Sequence, residues 1–404
     1  MSVTPPAYGF GMTQPSNPRA AGPGQGPAVR ILHTADWQLG MTRHFLDPDG
    51  QARFGGARID VIRRLGEVAR REGCDAIVVA GDVFETNQVS RRVVSRALEA
   101  MAATGLPVLL LPGNHDPLDP SSVYRSPTFI TQRPDNVLVL DGVAAHPILP
   151  GVEIIGAPWR SKRPVSDLCA DAVSGLVADG TVRVLVGHGA VDTMTPEERD
   201  DPAWVHVAPL ISALDDGRLH YVALGDRHSF TLVDPRGRIA YAGAPEPTAF
   251  DEVDPGHVVV VDVAASGVDV RPVAVGTWRF VTIEAQLDDD ADLDEVCSRL
   301  DLLESKDTTV VRVGLRGSVS LDVDARLETA LAERREVFAA LEVWPAGTDL
   351  VRVPDVDSLD DLGLKGASRA AAADLQAAHV AGGADAQVAL DALALLHRLA
   401  RSAA

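Results

Sequence analysis

The sequence predicts an α/β fold, a layered β-sandwich flanked by helices and followed by a small βαβα unit. Five short apolar runs each stop at a polar cluster, as strands buried on both faces by helices do; they lie in VRILHTADWQ, CDAIVVAGDVF, LPVLLLPGNHD, VRVLVGHG and LHYVALGDRH. Two segments between the runs, residues 59–73 and 91–105, carry apolar residues at helical spacing and stop at a glycine. Strands that alternate with helices are therefore expected.

Further strands are predicted after the fifth run. Three segments have strand-like composition and are separated by glycine-bearing turns: RGRIAYAG, GHVVVVDVAAS and GVDVRPVAVG. We expect them to form a second, mixed or antiparallel sheet that packs against the first. This packing would complete the layered sandwich.

A small separate unit is predicted after Gly276, where the pattern restarts as strand, helix, strand and helix. These elements correspond to WRFVTIEAQL, DLDEVCSRLDLLE, TTVVRVGLRG and ARLETALAERREVFAALE. We therefore divide the chain into a leader (1–28), a main domain (29–275), a small domain (276–350) and an acidic linker with a helical tail (351–404).

The two ends of the chain have different predicted properties. Residues 1–28 are rich in Pro and Gly and poor in periodic apolar residues, which predicts disorder. In the tail, one helical face carries Val388, Ala392, Leu395, Leu396 and Leu399. This face either docks on the chain's own domain or binds a partner, and the sequence favours neither alternative.

The composition excludes several classes of protein. No apolar run approaches the roughly 18 residues that cross a bilayer, and no secretory signal pattern is found, so a cytoplasmic protein without membrane contact is expected. The three cysteines show no CxxC spacing, which argues against disulfides or a zinc knuckle. The net charge of -20 means that a phosphate-bearing substrate must be attracted locally, for example by bound cations.

The polar clusters at the strand ends predict a centre for two divalent metal ions. Because ligands bind beyond the carboxyl ends of strands in open α/β sheets, we expect these side chains to meet at one sheet edge. Two neighbouring cations need a bridging carboxylate and several further N or O ligands. The strand ends supply Asp36, Asp82, Asn114, His115, His188, Asp226 and His228.

The same clusters resemble a known family. In this order, ADWQLG, AGDVFE, GNHD, GHG and GDRH resemble the five signatures of the calcineurin-like metallophosphoesterases. The phrases ILHTADWQLG, AGDVFETN, LLLPGNHDP and AYAGAPEP are similar to those of the SbcD-type exonucleases, bacterial relatives of the Mre-type double-strand-break nuclease. The resemblance spans Val29 to about Phe250, and the βαβα unit matches the position of that family's DNA-capping domain.

The resemblance implies a role for each cluster residue. One metal site would contain Asp36, Gln38, the bridging Asp82 and His228. The second would contain Asp82, Asn114, His188 and Asp226. His115 would lie outside the metal shell and act on the leaving oxygen or on transition-state charge.

Two positions depart from the family pattern. The usual DxH reads Asp36-Trp37-Gln38, and the usual GHxH reads Gly225-Asp226-Arg227-His228. Each metal site therefore loses one imidazole, and the oxygen-rich set shifts the preference to Mn²⁺ first, with Mg²⁺ as the other candidate. The alternative is a catalytically weakened centre that is retained for binding.

The resemblance implies a DNA exonuclease that attacks phosphodiesters with a metal-activated hydroxide and acts on DNA ends in double-strand-break repair. The chain has no GxxxxGK[ST] motif, so ATP hydrolysis would come from an SbcC-like, SMC-type ATPase partner; a homodimer is implied as well. For DNA contact the loop after the first signature offers Trp37, Arg43, Phe45 and Arg53. The alternative functions are a small-molecule or phosphoprotein phosphoesterase, or a scaffold for DNA ends or the ATPase.

Overall fold

In the computed structural model, which describes residues 27–194, 201–353 and 366–402, two mixed β-sheets lie between layers of helices. The first sheet has the strand order β12-β11-β1-β2-β3-β4. Its strands are β1 (Ala28–Thr34), β2 (Ala76–Val79), β3 (Val108–Leu110), β4 (Val137–Val139), β11 (His257–Ala264) and β12 (Gly267–Ala274). Strands β1 to β4 are parallel, and β11 pairs antiparallel with both β1 and β12.

The second sheet has the order β5-β6-β7-β8-β10-β9. Its strands are β5 (Ala145–Leu149), β6 (Val152–Gly156), β7 (Val182–His188), β8 (Tyr221–Gly225), β9 (Thr231–Leu232) and β10 (Ile239–Tyr241). The four central strands, β6, β7, β8 and β10, run parallel. Their carboxyl ends therefore lie at one edge of the sheet.

Alternating side chains explain how the sheets pack. Ile31 on β1 and Val78 on β2 belong to a buried cluster that also contains Val184 on β7 and Tyr221 on β8. This cluster fills the space between the two sheets, since successive side chains of a strand point to opposite faces. The predicted layered sandwich is confirmed.

The outer faces of the sheets are covered by helices. The first sheet packs against α1 (Pro48–Arg71), α2 (Arg91–Ala102) and α3 (Pro127–Gln132). The second packs against α4 (Leu168–Val173) and α5 (Val207–Asp215). Helix α1 begins 11 residues before the predicted start at Ile59, because Asp47 caps it through the backbone NH of Gly50 and Pro48 suits the first turn.

The small unit contains the predicted strands and helices and two further strands. Its sheet has the order β13-β14-β15, with β16 also paired to β14. The elements are β13 (Arg279–Gln286), α6 (Asp290–Asp301), β14 (Thr309–Ser320), α7 (Leu321–Arg335), β15 (Ala340–Val343) and β16 (Asp349–Val353). The proposed domain boundaries stay a prediction.

The tail contains helices α8 (Ala367–Ala381) and α9 (Ala386–Ser402). Helix α9 packs on Leu321 of α7 with Leu390 and Leu393 at the centre of the contact, and Leu396 is the residue of the predicted face that packs against the same cluster. Of the predicted face, Val388, Leu395 and Leu399 are 66%, 49% and 60% exposed. Most of the predicted leader (1–26) and part of the acidic linker (354–365) lie outside the described residues.

Two expectations about strand assignment are wrong. The five motif-bearing runs do not share one sheet, because β7 and β8 belong to the second sheet. Conversely, GHVVVVDVAAS and GVDVRPVAVG form β11 and β12, which extend the first sheet through the pairing of β11 with β1.

None of the helices in the part of the chain that the structure describes has the length and apolar content of a membrane-spanning segment.

Candidate metal centre

Polar side chains from both sheets meet at the carboxyl ends of the parallel strands. Asp36, Asp82 and Asn114 follow β1, β2 and β3 of the first sheet, whereas His188 ends β7 and Asp226 follows β8 of the second. The cluster therefore lies where the two sheets face each other. This geometry replaces the single sheet edge that the sequence predicts.

Three buried groups form the centre of the cluster. Asp36, Asp82 and His188 each offer one ligand atom, and these atoms lie within 4.8 Å of one another, a spacing at which a metal ion can be held. Nε2 of His188 is 3.4 Å from Oδ1 of Asp82 and 3.8 Å from Oδ1 of Asp226. Its Nδ1 lies 2.8 Å from the carbonyl oxygen of Ala80, which accepts the Nδ1 proton and leaves the Nε2 lone pair facing the carboxylates.

The amide of Asn114 completes this half of the cluster. Its Oδ1 lies 2.9 Å from Nε2 of His188 and 3.1 Å from both carboxylate oxygens of Asp82. Rotating the amide would let its NH₂ group donate to the same atoms. With the amide oxygen turned inward, however, Oδ1 of Asn114, the carboxylate of Asp82 and Nε2 of His188 all direct lone pairs to one point, which suits a cation. Ligands about 2.0 to 2.1 Å from one ion lie roughly 2.8 to 4.2 Å apart, and the distances of 2.9, 3.4 and 3.8 Å around Nε2 of His188 agree with that range.

A second half of the cluster surrounds His228. Nε2 of His228 is 4.0 Å from Oδ1 of Asp36 and 3.4 Å from Nε2 of Gln38. The Gln38 side chain is 3% exposed, and its Oε1 has no hydrogen-bond partner among the described residues. A buried amide oxygen without a partner is costly unless a cation or a water approaches it. The amide nitrogen of Gln38 faces His228, so with the amide rotated its Oε1 would lie beside Nε2 of His228 and these residues would fit a divalent cation.

The electrostatics of the cluster also favour bound positive charge. Burial raises the pKa of Asp36 to about 7, although the charges of His228 and His188 oppose this. Burial lowers the pKa of His228, but the hydrogen bond to Glu252 and the charge of Asp36 outweigh it and raise the pKa to about 8. Burial also lowers the pKa of His188, yet the charge of Asp82 outweighs it and raises this pKa well above its usual range. Protons are drawn to these groups because buried carboxylates need neutralisation, which divalent cations also supply.

The backbone at the cluster is strained. Six non-glycine residues of the described chain have positive φ, and four of them are cluster residues: Asp36, Gln38, Asp82 and Asp226. Such strain concentrates at functional sites. Gly113 and Gly225 allow close approach, since an added Cβ would overlap Oδ1 of Asp82 at the first position and the carbonyl oxygen of Ala80 at the second. The glycines of GNHD and GDRH are therefore required by space.

His115 lies beside the cluster, with its ring at the surface. Its backbone NH donates to Oδ1 of Asp82 at 3.0 Å. Its Nδ1 is 2.9 Å from the carbonyl oxygen of Glu85, whereas Nε2 is 3.9 Å from Oδ2 of Asp82. The side chain is 39% exposed. His115 can therefore present Nε2 to a bound molecule without serving as a metal ligand.

A cleft of about 550 Å³ opens next to the cluster. It is lined by Gln38, Arg43, Glu85, His115, Asp226 and His228, among others. Arg43 donates from Nε to the carbonyl oxygen of Thr248 at 2.7 Å and still borders the cleft. The cleft therefore combines candidate metal ligands, a basic side chain and His115.

The other residues predicted to contact DNA are placed less favourably. Trp37 is 1% exposed and donates from Nε1 to Thr34, so its ring has no face for a DNA base, and that prediction is wrong. Phe45 packs against Phe250 and Phe280. The half-exposed Arg53 pairs with Asp49 and with the backbone of Asp307.

Several supporting residues were not identified from the sequence. Glu252 and Thr248 contact Nδ1 of His228 at 2.9 and 2.6 Å. Asp116 accepts hydrogen bonds from the backbone of Phe84 and Gly113 and thereby joins the GDVF and GNHD loops. The only signal in the sequence was position. Asp116 is the last residue of GNHD, and Thr248 follows directly after AYAGAPEP, with Glu252 shortly after it.

A basic surface segment follows β6 beside the cluster. Trp159 donates from Nε1 to the backbone oxygen of His188 at 2.7 Å and so fixes the start of this segment. Arg160, Lys162 and Arg163 then follow, all exposed and with no acidic residue among residues 157–166. In a chain of net charge -20 this is a local cationic surface.

Comparison with known proteins provides independent evidence. A family model described as calcineurin-like phosphoesterase matches residues 29–261. The DNA double-strand break repair protein Mre11 of Haloferax volcanii is 27% identical over 342 residues, covering 83% of this chain and 69% of that protein. The SbcD component of the SbcCD nuclease of Bacillus subtilis is 26% identical and covers 64% of this chain and 70% of that protein; its Escherichia coli K12 counterpart is 25% identical, with 64% and 74% covered.

Proposed function

Because this chain belongs to the calcineurin-like phosphoesterase family, we propose that it is a metal-dependent exonuclease that hydrolyses phosphodiester bonds at DNA ends. The resemblance to SbcD and Mre-type nucleases that the motifs indicate is confirmed by the similar proteins, as is the fold class. A metal-dependent hydrolase follows from the family. The DNA substrate and the exonucleolytic action are proposals.

One observation carries the proposal. Carboxylate, amide and imidazole donors from both sheets converge within ligand spacing, and His115 stands next to them in an open cleft. Asp36, Gln38, Asp82 and His228 would hold one cation, and Asp82, Asn114, His188 and Asp226 the other. When bound, the two cations supply Lewis acidity, which polarises phosphoryl oxygens and acidifies a water nucleophile.

Side chains of the protein supply the remaining parts of the chemistry. The carbonyl of Glu85 accepts the Nδ1 proton of His115 and orients the ring so that Nε2 faces the cleft. A proton on Nε2 can then be donated to the leaving oxygen, which is the role of a general acid. Five of the proposed ligands offer oxygen (Asp36, Gln38, Asp82, Asn114 and Asp226) and two offer nitrogen (His188 and His228), which supports Mn²⁺, with Mg²⁺ as the second candidate.

Two observations support DNA as the substrate: the names of the similar proteins and the positive charge near the cleft. The similar proteins are named as a DNA double-strand break repair protein and as components of a nuclease. In this chain, Arg43 borders the cleft, and the basic segment with Arg160, Lys162 and Arg163 begins beside His188. Such cations neutralise phosphates of a DNA backbone.

The partners are proposed from the resemblance to SbcD and from an exposed apolar surface of α9. An SMC-type ATPase resembling SbcC would supply ATP hydrolysis, and the exposed apolar residues of α9, Val388, Leu395 and Leu399, offer a surface for a protein partner. A homodimer, a cytoplasmic location and a role in double-strand-break repair complete the proposal.

The test is a cleavage assay with three substrates. Purified protein is incubated with Mn²⁺ and duplex DNA labelled at the 3′ or the 5′ end, in parallel with the small diester bis(p-nitrophenyl) phosphate. His115→Ala is the control. Loss of label with the wild type but not with the variant is expected. Cleavage of the small diester alone would contradict the DNA substrate and favour a small-molecule phosphoesterase, and inactivity on all three substrates, with Mn²⁺ and in a repeat with Mg²⁺, would favour a binding scaffold.

A further inference from the structure

The imidazole of His228 is held by a loop segment that lies between β10 and β11. This segment, residues 246–252, is called the strap here. Its Thr248 hydroxyl and Glu252 carboxylate lie 2.6 and 2.9 Å from Nδ1 of His228. Thr248 is 1% exposed and the Glu252 side chain 6% exposed, so water competes little for these contacts.

The hydrogen bonds within the strap determine which atoms are donors. The backbone NH of Thr248 donates to both carboxylate oxygens of Glu252, at 3.1 and 2.9 Å, and the Thr248 hydroxyl donates to Oε1. Since that hydroxyl proton is used, its oxygen accepts from His228, as does Oε1 of Glu252. Nδ1 of His228 must therefore carry a proton, which leaves Nε2 with a lone pair in the neutral ring.

The strap itself is fixed to the rest of the molecule at its other end. Glu246, at 0% exposure, pairs with Arg64 and accepts the backbone NH groups of Thr277 and Trp278, at 2.9 and 3.0 Å. Arg58 donates to the carbonyl oxygen of Pro247 at 2.9 Å. A segment anchored in this way can hold a side chain in one orientation, because moving it would break several buried hydrogen bonds.

We propose that Glu252, assisted by Thr248, is a positioning residue that fixes the Nδ1–H tautomer and ring orientation of His228 and thereby sets the affinity of the cation site of Asp36, Gln38 and His228. The proposal rests on the dinuclear centre of the proposed function. It assigns Glu252 to one of the two cations only, since the other half of the cluster has its own orienting contact between His188 and Ala80. Removing such a support weakens metal affinity by about 10- to 100-fold.

The test measures cation binding and needs no cleavage. Free Mn²⁺ is monitored by electron paramagnetic resonance while the metal-free protein is titrated with Mn²⁺, for the wild type, Glu252→Gln and the matched control Asp251→Asn. Asp251 is an acid of the same strap, so its variant removes the same charge one residue away. The wild type should bind two Mn²⁺, Glu252→Gln should bind one of them about 10- to 100-fold more weakly, and Asp251→Asn should match the wild type.

Each other result has a distinct meaning. If Glu252→Gln binds both ions as tightly as the wild type, or if Asp251→Asn weakens binding as much, Glu252 does not position His228. If the wild type itself binds fewer than two Mn²⁺, the dinuclear centre of the proposed function fails instead. Should Glu252→Gln not fold in the presence of EDTA, Thr248→Val decides: it keeps the carboxylate and removes the shared hydroxyl, so it must weaken the same site, and unchanged binding would overturn the proposal.

Discussion

Replacing His115 by Gln is expected to slow DNA hydrolysis by about 10²- to 10⁴-fold, the usual contribution of a general acid. This corresponds to roughly 2.7 to 5.5 kcal/mol of transition-state stabilisation. The structure gives the reason: Nδ1 is engaged by the carbonyl of Glu85, and Nε2 is the ring atom free to deliver a proton in the cleft. Glutamine preserves the approximate size of the side chain and an NH donor, but its amide NH does not ionise and therefore cannot transfer a proton to the leaving oxygen.

The assay compares two substrates that differ in their need for a proton. The sugar oxygen that leaves from DNA requires protonation, whereas a nitrophenolate departs readily as an anion. The His115→Gln variant should therefore lose much less activity on bis(p-nitrophenyl) phosphate than on duplex DNA, with Mn²⁺ binding unchanged. An equal loss on both substrates would refute proton donation, and weakened Mn²⁺ binding would show that His115 acts as a metal ligand.

Three further predictions concern stability and metal binding. Burial lowers the pKa of His33 from 6.5 to about 3, so its stabilising contribution is present above pH 6.5 and is lost as the pH falls towards 3; by pH 5 the loss is about 2 kcal/mol. Because Asp36 and His228 titrate in or near the same range, the measurement is a difference: between pH 7.5 and 5.0 the free energy of unfolding in urea should fall by about 2 kcal/mol more for the wild type than for His33→Gln. Gly113→Ala places a Cβ against the Asp82 carboxylate and should lower the Mn²⁺ affinity in a titration, whereas Gly175→Ala, where an added Cβ meets nothing within 4 Å, should match the wild type. Finally, Mn²⁺ at 100 times its dissociation constant should stabilise the fold by about 2.7 kcal/mol per site, and a melting temperature that does not change on addition of EDTA would contradict this.

The motif-bearing strands and their polar ends could be predicted because both are local properties of the sequence. A buried strand reads as a continuous apolar run, and the chemistry follows directly where the strand ends. Asp36, Asp82, Asn114, His188 and Asp226 all lie at such ends, and the structure brings them together. Gln38 also joins the cluster, because the turn after β1 places its buried amide near His228.

The distribution of strands between the sheets could not be predicted in the same way. Strand β11 pairs with β1, as in the pairing of His33 with Val259, and this partnership between distant segments leaves no local pattern. The burial of individual side chains could not be predicted from the sequence either. Trp37 follows a metal-ligand candidate in the sequence, but its ring belongs to the core between the first sheet and its helices.

The tail helix shows another limit of periodicity. Apolar residues occur on more than one side of α9, so helical spacing alone did not decide which side docks. Contact with Leu321 of α7 selects the side that carries Leu390 and Leu393. The supports of His228 were missed for a related reason, since Thr248 and Glu252 acquire a role only when the strap folds beside the ring.

Two cations are expected per chain although each half of the centre has one imidazole fewer than the family pattern. The most direct test is an anomalous difference map at the manganese absorption edge, from crystals of the wild type grown with MnCl₂. We expect two peaks, one contacted by Gln38 and His228 and the other by Asn114, His188 and Asp226. A single peak, no peak, or two peaks from which Gln38 and Asp226 are turned away would contradict the oxygen-rich dinuclear centre.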